Sequence, residues 1–379
     1  VHKNIAELLH QKINGKNTVE TEKLSRQISN MAALILFNAF IFHNKLGGVE
    51  FNIDDEILKI KKLDELIEDG KINRSKLLCV WDDIRRRNYH PIFNISKEIL
   101  LKIDENAISN IIMMLYDVSN CTEIRQISGS IDMHGSLIQT MITERKRLKA
   151  YYTRAESATL LASLLVPEHA DPKWDKIEEF IIADFACGTG TLLSSIYKQI
   201  VLYANMSHKS DTISELLHKK FLEGGMIGLD VLPSAVHLTV STLAGFRPDI
   251  SIGEGRMGIV EYGARKSDKP GLGALDLIDP QETFVDLVTY VRERGEVMTP
   301  FTGINHGSCD IIIMNPPFTR NTKSDSDQLE MYAAFGVDEG TQVAMREKTK
   351  KLFKGTCADG RAGYPTYFMA VADKKLKPG

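Results

Sequence analysis

The chain has 379 residues, of which 43% are hydrophobic and 26% are charged. These fractions are typical of globular proteins and exclude a collagen, a coiled-coil rod or a wholly disordered chain. The 47 basic and 50 acidic side chains give a net charge of −3, which excludes a uniformly basic nucleic-acid coat. Any contact with nucleic acid must therefore use local basic patches. The length predicts two domains, or three.

The cysteines and the apolar runs indicate the compartment. The 5 cysteines are odd in number and widely spaced, and no two form a Cys-x-x-Cys pair. This pattern favours a reducing compartment and argues against a disulfide framework or a zinc site. The longest apolar run, Met31–Phe42, is too short to span a bilayer, and no signal-peptide pattern precedes it. We therefore expect a cytoplasmic protein with no membrane partner.

Residues 1–145 are predicted to form an α-helical domain. Glycine is scarce there, and no alternating strand pattern is visible. Apolar residues recur at helical spacing in three stretches. These are Leu24, Ile28, Met31, Ile35 and Phe42, then Ile57, Ile60, Leu63 and Ile67, and finally Ile108, Ile111, Ile112 and Leu115.

Residues 146–379 are predicted to form an α/β domain. Three short apolar runs, Ile181–Phe185, Met226–Asp230 and Asp310–Met314, have the length of buried parallel strands. Helical stretches separate them, and this alternation is typical of a doubly wound sheet.

Two stretches of this domain show no regular pattern. Residues 246–309 are rich in glycine and proline, and we expect irregular connections there. Residues 319–363 are polar with little periodicity, which is typical of a long functional or disordered loop. Within it, the basic segment 341–363 fits a DNA-contacting loop and a mobile surface loop equally well.

A glycine loop follows the first predicted strand. Gly188 and Gly190 allow a tight turn and a close approach of the backbone to a ligand. Leu193 stands where a dinucleotide-binding fingerprint has its third glycine, which weakens an NAD interpretation. Asp184, just before the loop, suits a ligand that carries an amine, such as the methionine part of S-adenosylmethionine. The alternative is an ordinary strand–turn–helix junction.

Asp230 ends the next predicted strand. A carboxylate there can accept hydrogen bonds from the two hydroxyls of a ribose. The alternatives are a helix N-cap and a solvated strand end. The preceding glycine loop favours the ribose interpretation.

The tetrapeptide Asn315-Pro316-Pro317-Phe318 directly follows the third predicted strand. Proline keeps the preceding residue extended and has no N–H donor, so the Asn315 side-chain carbonyl and the Pro316 carbonyl can face one way. Two such acceptors fit the two N–H bonds of an exocyclic amino group, and Phe318 offers a flat face for a planar base. The alternative is a rigid turn at a strand end.

Residues 151–154 precede a predicted helix. Thr153 can cap that helix, with Glu156 completing a capping box. A cap explains these residues adequately on its own.

Together these motifs resemble the gamma-type adenine-N6 DNA methyltransferases, which include type I modification subunits and fused restriction–modification enzymes. Tyr151–Thr153 resembles the family's opening motif, although Arg154 stands where the family usually has proline. Phe185–Gly190 is similar to its cofactor loop, Asp230 to its ribose-binding acid and Asn315–Phe318 to its catalytic motif. The resemblance implies a cofactor site made of Tyr152, Thr153, Asp184, Phe185, Ala186, Gly188, Gly190, Thr191, Leu192, Asp230, Val231 and Asp276.

The resemblance implies a Rossmann-like methyltransferase domain that uses S-adenosyl-L-methionine, preceded by a helical domain. We expect residues 146–379 to lack the family's last strands and its target-recognition domain. The expected partners are double-stranded DNA with a flipped adenine and a specificity or nuclease subunit or fused domain. Amino groups of ribosomal RNA or of protein glutamine remain alternative substrates, and a non-catalytic scaffold remains an alternative function.

Overall fold

A computed structural model gives the structure of most of the chain. Among the residues it describes, no helix is long and apolar enough to cross a membrane. The described residues are 5, 18–53, 56–86, 90–121, 153–169, 171–208, 211–248, 250, 256–260, 262–263, 270–286, 302–318, 332, 337–358 and 363–378.

Backbone contacts divide the chain into two compact units. The first unit comprises Val1–Thr143 and Val240–Gly253, and the second comprises Glu144–Thr239 and Glu254–Gly379. The predicted domain boundary at residue 145 lies outside the described residues.

Between residues 18 and 120, the first unit combines helices with two short hairpins. Strand β1 pairs antiparallel with β2, and β3 pairs antiparallel with β4. The Asp104 side chain accepts a hydrogen bond from the Asn106 N–H and so begins the last helix. The elements are α1 (Thr18–Leu46), β1 (Glu50–Ile53), β2 (Glu56–Lys59), β3 (Ile67–Glu68), β4 (Lys71–Ile72), α2 (Arg74–Arg86), α3 (His90–Lys102) and α4 (Glu105–Asn120).

The predicted helix through Ile57 and Ile67 is wrong. Ile57 lies in β2 and Ile67 in β3, with the short 3-10 turn Leu63–Leu66 between them. The turn between β3 and β4 is formed by Asp69 and Gly70, whose φ angles are 49° and 75°. Positive φ at both positions is the geometry of a two-residue hairpin, for which Asp-Gly is a strong sequence signal.

The core of this unit contains a buried histidine among aromatic rings. The rings of Phe40 and Phe93 lie 5.8 Å and 5.3 Å from that of Trp81. The Trp81 indole N–H donates to His43 Nδ1 at 3.1 Å, and His43 Nε2 lies 2.9 Å from the Lys61 carbonyl oxygen. Because an indole only donates, the proton of the neutral imidazole sits on Nε2. Burial lowers the pKa of His43 to about 4.

From residue 153 onward the chain alternates helices and strands. Short helical turns at Pro172–Trp174, Ile177–Glu179, Phe221–Gly225 and Gly273–Ile278 connect some of them. The elements are α5 (Ala155–Leu165), β5 (Ile182–Asp184), α6 (Thr191–His208), α7 (Asp211–Lys220), β6 (Met226–Asp230), α8 (Pro233–Ala244), β7 (Arg256–Ile259), β8 (Tyr262–Gly263), β9 (Gly271–Leu272), β10 (Thr283–Asp286), β11 (Thr302–Gly303), β12 (Ile311–Ile312), α9 (Glu339–Leu352) and α10 (Tyr364–Lys375).

Six of these strands form one sheet in the order β11-β10-β7-β6-β5-β12. Strands β12, β5, β6 and β7 run parallel to one another, whereas β10 pairs antiparallel with both β7 and β11. All three residues of β5 are buried, as expected for a parallel strand covered on both faces. Among the described residues, β12 is the last strand of this order. Next to it, a single parallel bridge joins Cys309 to Leu376.

The direction of the strand order reverses at β5. Strands β6 and β7 follow on one side of it, whereas β12 lies on the other side. In open α/β sheets such a reversal opens a crevice at the carboxyl ends of the strands, where ligands bind. Asp184 ends β5, Asp230 ends β6, and Asn315 follows three residues after β12.

Two predictions for this region are wrong. The stretch 246–309, predicted to be irregular, contains β7 through β11, including the third parallel strand of the sheet. The stretch 319–363, predicted to be a long loop, contains the 14-residue helix α9.

Candidate functional site

The glycine loop makes a tight turn between β5 and α6. Gly188 and Gly190 have φ angles of 53° and 81°, a region that favours glycine. The Gly190 N–H donates to the Cys187 carbonyl at 2.8 Å and closes the turn. A Cβ atom at position 190 would lie only 2.8 Å from Thr239 Cγ2, so no larger residue fits there without a shift.

Side chains of neighbouring elements hold this loop from two sides. The Asp230 carboxylate accepts the Gly188 N–H through Oδ2 at 3.0 Å and the Leu232 N–H through Oδ1 at 2.9 Å. The Thr239 hydroxyl donates to the Gly188 carbonyl at 3.0 Å. The backbone adds a bond from the Cys187 N–H to the Leu229 carbonyl at 2.9 Å. The structure therefore brings Asp230 and the glycine loop into direct contact.

Asp184 is a buried carboxylate at the base of this loop. Its side chain accepts the Ala186 N–H at 2.9 Å, and the residue is only 1% exposed. Burial, opposed by the hydrogen bond from the Ala186 N–H and aided by the negative charge of Asp230, raises the pKa of Asp184 to about 8. Burial also raises the pKa of Asp230. A bound cation would reverse this effect and stabilise the ionised carboxylates.

Asn315 contacts the residue that begins the α/β region of the described chain. Its side-chain Nδ2 donates to Thr153 Oγ1 at 3.0 Å across 162 residues of sequence. The two prolines that follow are half-buried, and Phe318 is 54% exposed. The structure therefore brings Thr153 and Asn315 together.

Thr153 is not the helix cap that the sequence predicts. The N-cap of α5 is Arg154, whose side chain makes no capping hydrogen bond. With its hydroxyl bonded to Asn315, Thr153 contributes to the site through a side-chain contact, not through the capping box with Glu156.

Asp276 lies in a buried turn and is bonded to its own chain. Its Oδ2 accepts the Leu272 N–H at 2.9 Å, and its Oδ1 lies 2.7 Å from Lys348 Nζ. The turn reaches the end of β6, because a Cβ atom at Gly273 would lie 3.3 Å from Val231 Cγ1. Asp276 is thus near the strand that carries Asp230, but its carboxylate is engaged by the protein itself.

The remaining predicted cofactor residues divide by exposure. Phe185, Thr191 and Leu192 are buried, and Phe185 belongs to the hydrophobic core behind the loop. Ala186 and Val231 are half-buried, and Tyr152 lies outside the described residues.

Sequence reasoning missed two residues that hold the site. Thr239 lies on α8 between Leu238 and Val240, where a threonine gives no functional signal. Lys348 lies in the basic segment 341–363, where its neighbours Lys350 and Lys351 look the same in sequence. In the structure Lys350 and Lys351 are exposed, and only Lys348 of the three is paired with Asp276.

Comparison with known proteins identifies no family. No protein-family model matches the chain, and no curated protein matches it. Among solved structures, a chain of the cryo-electron microscopy structure of a DrdV–DNA complex aligns with 99% of this chain and 34% of its own length. The sequence identity is 14% and the TM-score is 0.44. This chain spans about a third of that chain, and similarity at this level does not establish a shared fold.

Proposed function

We propose that this chain carries the catalytic site of an S-adenosylmethionine-dependent methyltransferase that modifies N6 of adenine in DNA. The observation that carries the proposal is the position of three side chains. Asp184 and Asp230 are the last residues of β5 and β6, and Asn315 lies shortly after β12, so all three stand at the carboxyl ends of neighbouring parallel strands. They flank the point where the strand order reverses, which is the usual ligand site of an open α/β sheet.

The two carboxylates suit the polar groups of S-adenosylmethionine. Asp184 is buried with a raised pKa, so the ammonium group of the methionine part would stabilise its charge. Asp230 already accepts two backbone N–H bonds, and a carboxylate has about four acceptor positions, which leaves capacity for ribose hydroxyls. The cofactor supplies a methyl group on a positively charged sulfur. Transfer would form an N–C bond at adenine N6 as the C–S bond breaks, S-adenosylhomocysteine would leave as the neutral thioether, and N6 would release one proton to solvent.

Asn315 and Pro316 would hold the amino group that receives the methyl. The bond from Asn315 Nδ2 to Thr153 Oγ1 fixes the orientation of the amide and hence of its carbonyl oxygen, Oδ1. The Pro316 carbonyl is the second acceptor. Carbonyl dipoles fixed before reaction stabilise charge that develops on the nitrogen at little reorganisation cost. No general base is needed at the outset.

Phe318 favours a planar base as the substrate. Its side chain is 54% exposed beside the two acceptors, and such a ring stacks on a base. An adenine within duplex DNA must leave the helix to reach this position. Amino groups of ribosomal RNA or of glutamine would present the same N–H bonds to Asn315, so the substrate must be decided by experiment.

The test is methyl transfer from labelled S-adenosylmethionine by the protein to duplex DNA, ribosomal RNA and other proteins. Asn315→Ala removes one of the two acceptors, and we expect transfer to DNA to fall by at least about a hundredfold. Cofactor affinity, measured by calorimetry, should not change, because the carboxylates lie on other loops. Asn305→Ala is the matched control, since Asn305 is an exposed asparagine of a neighbouring loop.

Each outcome decides between the alternatives. Label in RNA or protein but not in DNA would refute the DNA substrate. Cofactor binding with no transfer to any substrate would favour a scaffold. Transfer to DNA by Asn315→Ala at the parent rate would refute the mechanism.

A further inference from the structure

The turn Gly273–Ile278 is joined to helix α9 by a buried ion pair. Asp276 Oδ1 lies 2.7 Å from Lys348 Nζ, with the two side chains 2% and 17% exposed. The same ammonium group donates to the Pro270 carbonyl at 2.8 Å, just before β9. Lys348 therefore holds the turn at Asp276 and at the residue that precedes β9.

The other side of this turn faces the end of β6. Gly273 has a φ angle of 67°, and a Cβ atom added to it would lie only 3.3 Å from Val231 Cγ1. Val231 directly follows Asp230, whose carboxylate holds the glycine loop at 3.0 Å. A displacement of the turn would therefore shift Val231, the residue next to the carboxylate assigned to the ribose.

We infer that Lys348 is a positioning residue for the nucleoside part of the ligand, acting through Asp276 and the turn that packs against Val231. This inference rests on the proposed function. It assigns Asp276 the task of holding the turn in place of direct contact with the cofactor, because the carboxylate is already engaged by the Leu272 N–H and by Lys348. Lys348 touches no ligand itself.

The buried ion pair predicts how substitutions of Lys348 should act. Removing one partner of a buried ion pair leaves the other charge uncompensated, which is more disruptive than removing both. In Lys348→Met the Asp276 carboxylate loses its ammonium partner while the bond from the Leu272 N–H remains, and the turn loses this ion pair to α9. Lys348→Arg keeps a positive charge at this position on a larger, planar head group.

The experiment measures the affinity of S-adenosylmethionine by calorimetry for the parent chain and four variants. These are Lys348→Met, Lys348→Arg, Asp276→Asn and the double variant Asp276→Asn/Lys348→Met. We expect the two single neutral variants to bind about tenfold more weakly, with no further loss in the double variant, since one broken pair is shared. Lys348→Arg should bind within about threefold of the parent. Lys350→Met, on the exposed face of the same helix, is the control and should bind normally.

Thermal unfolding of each variant separates positioning from a merely structural role. A lysine that only stabilises the fold would lower the unfolding temperature and leave the affinity of the folded protein unchanged, which would overturn the inference. If Lys348→Met does not fold, the double variant, which buries no unpaired charge, decides, and parent-like affinity in it overturns the inference. Losses of affinity that multiply in the double variant would also overturn the inference. A parent chain that does not bind S-adenosylmethionine refutes the proposed function and the inference together, whereas a binding parent with parent-like variants refutes the inference alone.

Discussion

Replacing Gly190 by alanine tests the geometry of the glycine loop directly. The residue has φ 81°, and a Cβ atom there would meet Thr239 Cγ2 at 2.8 Å, Oγ1 at 3.0 Å and Cα at 3.1 Å. The left-handed backbone costs an alanine about 1–2 kcal/mol. The overpacking against Thr239 adds about 1–3 kcal/mol, since the Cα atom of a helix cannot move aside cheaply. We therefore expect Gly190→Ala to destabilise the protein by about 2–5 kcal/mol.

Gly355 offers a matched control for the backbone contribution. Its φ is 82°, but no atom lies within 4 Å of a Cβ built on it. Gly355→Ala should therefore cost only the conformational part, about 1–2 kcal/mol. The difference between the two variants isolates the contact with Thr239.

The assay is thermal unfolding of both variants with and without S-adenosylmethionine. A difference of about 1–3 kcal/mol corresponds to about 2–12 °C in unfolding temperature, at about 2–4 °C per kcal/mol for a unit of this size. Gly190→Ala should also weaken cofactor binding, and Gly355→Ala should not. Equal unfolding temperatures for the two variants would refute the close approach to Thr239.

Two further predictions concern pH. The pKa of buried His43 is lowered to about 4, whereas a histidine of the unfolded chain takes up a proton near pH 6.5. The free energy of unfolding therefore has its full value above about pH 6.5, and it falls by up to about 3 kcal/mol as the pH drops towards 4. Trp81 fluorescence in a Trp174→Phe background reports this unfolding, and a His43→Phe variant should lose the pH dependence. The pKa of Asp184 is raised to about 8, so an ammonium ligand prefers the form that prevails above that pH. Affinity for S-adenosylmethionine should therefore increase towards pH 8, by up to about tenfold per unit, whereas Asp184→Asn should remove the part of this dependence that belongs to the carboxyl group.

The positions of the strands that carry the site could be predicted from the sequence because their chemistry is local. The run Met226–Asp230 is a strand with the bounds that its apolar residues indicate. The run Asp310–Met314 contains β12, and backbone bonds to the Ile181 and Ala183 carbonyls extend its pairing to Asp310 and Ile313. Gly188 and Gly190 have the positive φ angles that a tight turn requires. Each of these features depends on neighbours within a few residues.

Helix α9 could not be predicted because polar side chains occupy its inner face. Its buried positions are Gln342, Met345 and Thr349, which have the spacing of a helix but only one apolar residue among them. The Gln342 side chain donates to the Val337 carbonyl, and the Thr349 hydroxyl donates to the Met345 carbonyl. These bonds satisfy the polar groups inside the fold, so burial is possible without the hydrophobic pattern that would reveal it.

Strand β7 escaped prediction for a different reason. Its sequence, Arg256–Ile259, includes a charged residue and a glycine, which weaken the continuous apolar signal of a parallel strand. Pairing with β6 determines the strand, with Ile227 opposite Arg256 and Asp230 opposite Ile259. Tertiary pairing of this kind overrides local propensity, which is a weak guide for strands.

The residues that would contact a ligand and the residues that hold them in place also differ in how visible they are in the sequence. Asp184, Asp230 and Asn315 are recognisable because each polar side chain stands at or just after the end of a short apolar run. Thr239 and Lys348 have no such local signature, since each acts through a contact with a residue 51 or 72 positions away: the Gly188 carbonyl for Thr239 and the Asp276 carboxylate for Lys348. A substitution at either position would change no sequence motif, yet it would displace residues that line the site. The affinity measurements on Lys348 are therefore also a test of whether the fold, and not the motif alone, determines binding.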